Sequence, residues 1–296
     1  MRLWMNKKED DSMSTIFITG VSSGIGNGTA KVFAEHGWNV AGTVLSFEEE
    51  TGLDKYDNIK LYELNVLNHE DIPKVAEQVI ADFGKVDVVM NNAGIGIMGP
   101  LENAEYDQIL KILKVNIVGY LMVLKAFLPH LRANKSGTIV NMGACNGEII
   151  HPGLGYYCLT KAAIASMSEE LLMELAPLGI DVKLIEPTGV KSNLGTVGTE
   201  MLRPDMVEDY KYFYENTVAR MFGIVSGAVP GHPDLHFEAI EPEEMGEVIY
   251  EAVTSGSKQF RWYSHEHAKI IFEDREKMTY QEYIDFYKDY YLNGKD

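Results

Sequence analysis

Cysteine is scarce in this sequence. Two residues of 296, Cys145 and Cys158, cannot build a disulfide framework, so the chain reads as one made for a reducing, cytoplasmic setting. Positive charge is short as well: 26 Lys and Arg face 44 Asp and Glu, a formal charge of -18. A surface this anionic repels nucleic acid and acidic membranes, and neither is expected as a partner. No uninterrupted apolar run reaches the roughly 18 residues that a bilayer span needs. The start of the chain carries Lys7, Lys8, Glu9, Asp10 and Asp11 and no apolar core, which excludes a signal peptide. Residues 1–13 are read as a disordered leader. Internal repeats, low-complexity linkers and a second-domain boundary are all missing, so 14–296 is expected to be one domain.

What is present is an alternation of apolar strands and amphipathic helices. Strands are expected at 14–19, 38–44, 59–64, 86–90, 138–142, 181–185 and 259–263. Helices are expected at 28–36, 69–83, 106–133, 162–178 and 243–253, the second-last of these opening near Tyr157. The long one should break near Gly119 and Pro129. Such alternation predicts an α/β fold with a doubly wound parallel sheet. Residues 193–242, rich in Gly, Pro, Met and aromatics, read as a substrate lid, and 264–296 as an acidic, Tyr-rich C-terminal extension.

The first strand runs into Gly20-Val21-Ser22-Ser23-Gly24-Ile25-Gly26 and then a helix. Strand, glycine turn and helix start together make a phosphate cradle, because free N–H groups and a positive dipole end meet there. The second strand ends at Thr43, Val44, Leu45 and Ser46, neither acidic nor basic, while Glu48–Glu50 read as a solvated helix start. A carboxylate at that strand end would exclude a 2′-phosphate, and its absence tilts the cofactor reading of NAD(P) toward NADP. Tyr157 and Lys161 stand four apart, on one face of a helix, where an ammonium draws a phenol down toward neutral pH for proton transfer. Asn116 lies inside an apolar helix and must find partners if buried. His151 reads as a surface residue.

Taken together, the glycine turn, Asn91-Asn92-Ala93-Gly94, Asn116, Tyr157–Lys161 and Pro187–Ser192 resemble the short-chain dehydrogenase/reductases. These are compact Rossmann-fold enzymes, and there is a fainter likeness to their retinoid and hydroxysteroid branch. The resemblance implies that Gly20, Ser22, Ser23, Gly24, Ile25 and Gly26 hold the pyrophosphate and adenosine ribose. Asn65 and Val66 would border the adenine. Asn92, Ala93 and Gly94 would pass under the cofactor, with Pro187, Val190 and Ser192 at the nicotinamide. Tyr157 would donate the proton, Lys161 would bind the ribose, and Asn116 would hold a relay water.

One position departs from the family. Its catalytic Ser, a substrate-binding donor, is replaced by Ala144. An engineered replacement, another donor (Asn146 first, with Tyr156 or Cys145 behind it) or a drift to non-redox chemistry would each account for this. The resemblance predicts an NAD(P)-dependent oxidoreductase acting on a carbonyl or secondary alcohol of a mid-sized, largely apolar small molecule. A non-redox cyclisation or isomerisation, or a silent binding protein, is the alternative. Pairing of the helices at 106–133 and 157–178 would give a homodimer or homotetramer.

Overall fold

The structure, a computed structural model, describes residues 13–191, 199–201, 208–211, 219–220, 222–224 and 226–293. The expected leader up to residue 12 and parts of the expected lid lie outside the described residues, as does Ser192. In chain order the strands are β1 (Thr15–Ile18), β2 (Asn39–Val44), β3 (Ile59–Glu63), β4 (Val88–Asn91), β5 (Gly96–Met98) and β6 (Gly137–Met142). They continue with β7 (Ile180–Glu186), β8 (Thr199–Met201), β9 (Ala228–Val229), β10 (His232–His236) and β11 (Arg261–Tyr263). The helices are α1 (Gly24–Glu35), α2 (Ile72–Phe83), α3 (Tyr106–Leu113), α4 (Gly119–Asn134) and α5 (Gly155–Leu175). Three more follow: α6 (Pro242–Thr254), α7 (Glu266–Lys277) and α8 (Tyr280–Lys288).

Seven strands form one parallel sheet in the order β11-β7-β6-β4-β1-β2-β3. The chain winds outward from β1 in one direction and then returns to wind in the other. The switch between β1 and β4 opens a crevice at the strands' carboxyl ends, where such sheets bind ligands. Alternate residues serve opposite faces. Ile16 and Ile18 join the cluster under α1 and α6 with Phe33 and Ile249, while Phe17 joins Val123, Phe127 and Leu175 beneath α4 and α5. Both faces are covered, which is why β1 and β4 are buried throughout and mostly apolar. On the first face glycine sets how close two helices come. A Cβ on Gly28 would lie 2.3 Å from the Pro242 carbonyl carbon, so α1 and α6 cross nearly backbone to backbone.

Several expectations shift. The helix after the glycine turn begins at Gly24 rather than residue 28, and Glu48–Glu50 form turns rather than a helix start. The long helix does not break at Gly119 or Pro129. It widens instead into a π turn at Lys114–Val118, around Asn116, and Pro129 sits inside α4. Within that helical stretch, residues 106–134, an 18-residue window reaches mean hydropathy 1.6, long and apolar enough by composition to cross a membrane. Here Val123, Leu124, Phe127 and Leu131 spend that apolarity on the core. The C-terminal extension is ordered as α7, α8 and a closing π turn at Asp289–Asn293, packed on the loop that precedes α5.

Candidate active site

The glycine turn takes backbone shapes that side chains resist, with φ of +73° at Gly20 and +59° at Gly24. α1 starts behind Ser23, an extended N-cap whose side chain makes no capping bond, with no acidic residue in the first turn. A helix start left bare of protein caps, beside glycines, fits a dinucleotide pyrophosphate. Gly26 is required for a reason the sequence hides. A Cβ there would lie 2.2 Å from Gly20 O and 2.5 Å from Asn92 Nδ2, so a side chain would break the turn itself.

Asn92 fastens that turn to the end of β4. Its Nδ2 donates to Thr19 O and Gly20 O, both at 2.9 Å, and Thr19 Oγ1 accepts from the N–H groups of Asn92 and Ala93. Gly94 passes close to Asn116, since a Cβ on it would lie 3.4 Å from Asn116 Oδ1. Asn116 is buried, and its Nδ2 donates to Ile95 O at 2.9 Å and Thr160 Oγ1 at 3.0 Å. Its Oδ1 accepts from Ile95 N at 2.9 Å. The side chain expected to hold a water is therefore largely spent on joining the strand end to α5, with one Oδ1 lone pair left over. Behind it, Asn91 Nδ2 donates to Asn141 Oδ1 and Asn141 Nδ2 to Ser168 Oγ, a buried ladder from β4 through β6 to α5.

Tyr157 and Lys161 share the first turns of α5. Lys161 Nζ donates to Met142 O at 2.7 Å and lies 5.4 Å from the centre of the Tyr157 ring. Burial pushes the Tyr157 phenol above its ordinary range, with Cys145 and Cys158 adding to the rise. Burial brings the Lys161 ammonium down to about 7. The expected lowering of the phenol by the cation is thus outweighed: taking a phenolate out of water costs more than an ammonium turned toward a carbonyl returns.

Ala144 is buried at the start of a short turn over Cys145–Gly147. The three expected substitutes for its hydroxyl are all engaged. Asn146 Nδ2 donates to His151 Nδ1 at 2.6 Å and to Cys158 Sγ at 3.7 Å. Tyr156 donates its hydroxyl to Leu101 O at 2.8 Å. The Cys145 thiol, which burial pushes up to about 12, lies 3.6 Å from Asn146 Oδ1. His151 is 2% exposed, not a surface residue.

Residues 14–202 match the family model described as short chain dehydrogenase. The chain belongs to the short-chain dehydrogenase/reductase family. An uncharacterized oxidoreductase of Schizosaccharomyces pombe is 32% identical over 210 residues, 71% of this chain and 83% of its own. A 3-ketodihydrosphingosine reductase of Bacteroides thetaiotaomicron is 35% identical over 172 residues, 58% of this chain and 62% of its own. A solved short-chain dehydrogenase from Streptomyces avermitilis superposes with a TM-score of 0.79 at 26% identity, covering 97% of this chain and 100% of its own.

In this family member the remaining expected cofactor residues divide. Asn65 is exposed and turns Oδ1 to Leu67 N, and Val66 is buried beside Gly119. Pro187 O accepts from Cys145 N, and Val190 bridges to Ile240. The end of β2 is where sequence reasoning missed something. Glu49 Oε1 accepts from Leu45 N at 2.7 Å and Ser46 N at 2.9 Å, and Glu63 Oε1 accepts from Phe47 N at 2.9 Å. A carboxylate does stand at that strand end, folded back by a turn rather than placed on the strand.

The chain also buries a carboxyl at the end of β7. Glu186 is fully buried, neither oxygen makes a hydrogen bond among the described residues, and Arg261 Nη1 lies 3.5 Å from Oε2. Arg261 also pairs with Glu148 and Glu169, so three carboxylates share one guanidinium. Burial pushes Glu186 up to about 8. The folded chain then keeps a proton that the unfolded chain releases near the ordinary value of 4.5, so stability falls as pH rises from about 4.5 to 8. The loss at the top of that window is expected to reach a few kcal/mol, at most about 5. Calorimetric unfolding between pH 5 and 8 should show this slope in the parent and a flatter one in Glu186→Gln. Parallel slopes would refute the assignment.

Proposed function

We propose that the protein is an NAD(P)-dependent oxidoreductase exchanging hydride with a carbonyl or secondary alcohol of a mid-sized, largely apolar small molecule. The observation that carries this reading is a single connected frame. Tyr157 and Lys161 on α5 are tied through Thr160 and Asn116 to Ile95, and the preceding Asn92 ties that segment to the glycine turn. The bound nicotinamide would supply or accept the hydride. The bare start of α1 would hold the pyrophosphate, and Lys161 would hold the ribose. Tyr157 gives its hydroxyl proton to the substrate oxygen on reduction and takes it back on oxidation. Apolar side chains including Met98, Ile149, Ile224 and Val229, together with the tail tyrosines, shelter the substrate body from water. A relative named for reducing a keto group supports carbonyl chemistry. Ala144 favours a second reading, a non-redox isomerisation or cyclisation in the same pocket. Following the NAD(P)H absorbance band across a ketone panel separates the two, since the second transforms a ligand without consuming cofactor.

The strand end supports NAD over NADP, against the tilt drawn from Val44 and Leu45. A 2′-phosphate would meet the Glu49 carboxylate, and Glu49 already takes two N–H groups that an anion would use. Both partners are near water, so the repulsion is worth only about 1 kcal/mol. Glu49→Ala should raise NADP affinity relative to NAD about fivefold, read by fluorescence titration of the two cofactors. A ratio that stays put would remove Glu49 from cofactor choice. A homodimer or homotetramer through α4 and α5 belongs to the same proposal, with Leu121, Leu159 and Met173 exposed on these helices.

A further inference from the structure

The loop between Ala144 and Tyr157 carries a polar group that the chemistry above does not use. Asn146 donates to His151 Nδ1, which places the imidazole proton on Nε2. His151 is 2% exposed, and its Nε2 meets no hydrogen-bond partner among the described residues. The ring of Tyr291 stands edge-on to it, centroids 6.5 Å apart. Tyr291 is 4% exposed, and its hydroxyl is likewise without a partner. The surroundings are the apolar cluster of Met98, Ile149, Ile224 and Tyr290. Two orphaned polar atoms in such a wall are costly to bury unless something completes them.

The place of the pair says what that is. Asn146 bonds both His151 and Cys158, the residue after Tyr157, so the imidazole is held by the same side chain that touches the catalytic helix. The tail is held on the loop independently: Tyr283 Oη accepts from Ile150 N at 2.9 Å and donates to Glu148 O at 3.4 Å. Both orphaned atoms thus sit at the loop that precedes Tyr157, one from the loop itself and one from the tail packed on it.

We propose that His151 Nε2–H and the Tyr291 hydroxyl form a second polar anchor in the substrate pocket. They hold an uncharged hydroxyl or carbonyl oxygen of the substrate, apart from the carbon that exchanges hydride. This deepens the reductase reading and rests on it. It makes the substrate bifunctional: an apolar body carrying a reacting carbonyl or carbinol and a second neutral oxygen. Burial keeps the imidazole uncharged, lowering it to about 4, with His267 adding to the drop. A neutral donor beside a phenol suits a neutral oxygen better than a carboxylate.

The test uses the full chain with 4-phenyl-2-butanone and its meta- and para-hydroxyphenyl counterparts. Initial rates give KM and kcat for each ketone, and calorimetry gives their affinity for the protein loaded with oxidised cofactor. The parent should favour one hydroxylated ketone about tenfold, in KM more than in kcat, the effect of one well-placed hydrogen bond. His151→Phe, which keeps an aromatic ring but no N–H, should bring that ratio to about one. Tyr291→Phe should lower it, and His151→Gln, which restores a donor, should recover part of it. Thermal unfolding and cofactor titration check that each variant folds, and Tyr291→Phe stands in if His151→Phe does not. A parent without discrimination overturns the anchor, and so does a preference that survives both phenylalanine variants. If no ketone consumes cofactor, the reductase reading fails by itself, and the calorimetric ratio still decides the anchor.

Discussion

Tyr157→Phe is expected to keep its cofactor within a few-fold of the parent affinity and to lose hydride transfer by about 10²–10⁴-fold. The phenylalanine ring occupies the place of the phenol beneath Lys161, whose Nζ stays bonded to Met142 O, so the fold has no reason to change. What disappears is the proton. The other proton donors near it on α5 are turned elsewhere, the Lys161 ammonium to Met142 O and the Tyr156 hydroxyl to Leu101 O. Thr160 does not supply one either, because its hydroxyl donates to Tyr157 O and accepts from Asn116. Single-turnover NAD(P)H consumption decides the matter. A variant retaining more than a tenth of the parent rate would mean that the proton comes from elsewhere.

The parts of this molecule that were legible beforehand are those whose signal is local. Strand-to-helix alternation and apolar strands follow from a sheet covered on both faces, so the doubly wound parallel sheet came through. Glycines at 20, 24 and 26, followed by an amphipathic helix, announce a cradle because few other structures need them so spaced. The misses depend on placements that no residue pattern announces, some local and some distant along the chain. Glu49 looked like a solvated helix residue, since only a turn from Ser46 brings its carboxylate back to the strand end. His151 looked exposed because the tyrosines that cover it come from the tail, some 140 residues along the chain, in a segment with no strong periodic pattern. Asn116 was legible as a buried polar group, but the π turn that carries it has no sequence signature. The opposing shifts at Tyr157 and Lys161 depend on how completely the pocket closes, which a four-residue spacing cannot convey.

Ala144→Ser carries the other large expectation, a rise in turnover of about 10²-fold or more. The backbone accepts it readily: Ala144 is extended, φ -174° and ψ 161°, and its carbonyl closes the turn by accepting from Gly147 N at 2.9 Å. A serine keeps that backbone, and its hydroxyl would stabilise negative charge on the substrate oxygen beside Tyr157. The size of the gain measures whether anything already fills that role. Asn146 has both its N–H bonds committed, to His151 and Cys158, Tyr156 is spent on Leu101, and the Cys145 thiol is a poor donor. With those three engaged, the parent should run without the hydrogen bond, and adding it should show its full effect. The measurement is the single-turnover rate for the parent, Ala144→Ser and Asn146→Ala. A small gain at Ala144→Ser together with a large loss at Asn146→Ala would name Asn146 as the working donor after all. If neither the parent nor Ala144→Ser moves hydride to any ketone while the protein still transforms a ligand, the pocket serves non-redox chemistry. The alanine would then be part of that chemistry rather than a gap in this one.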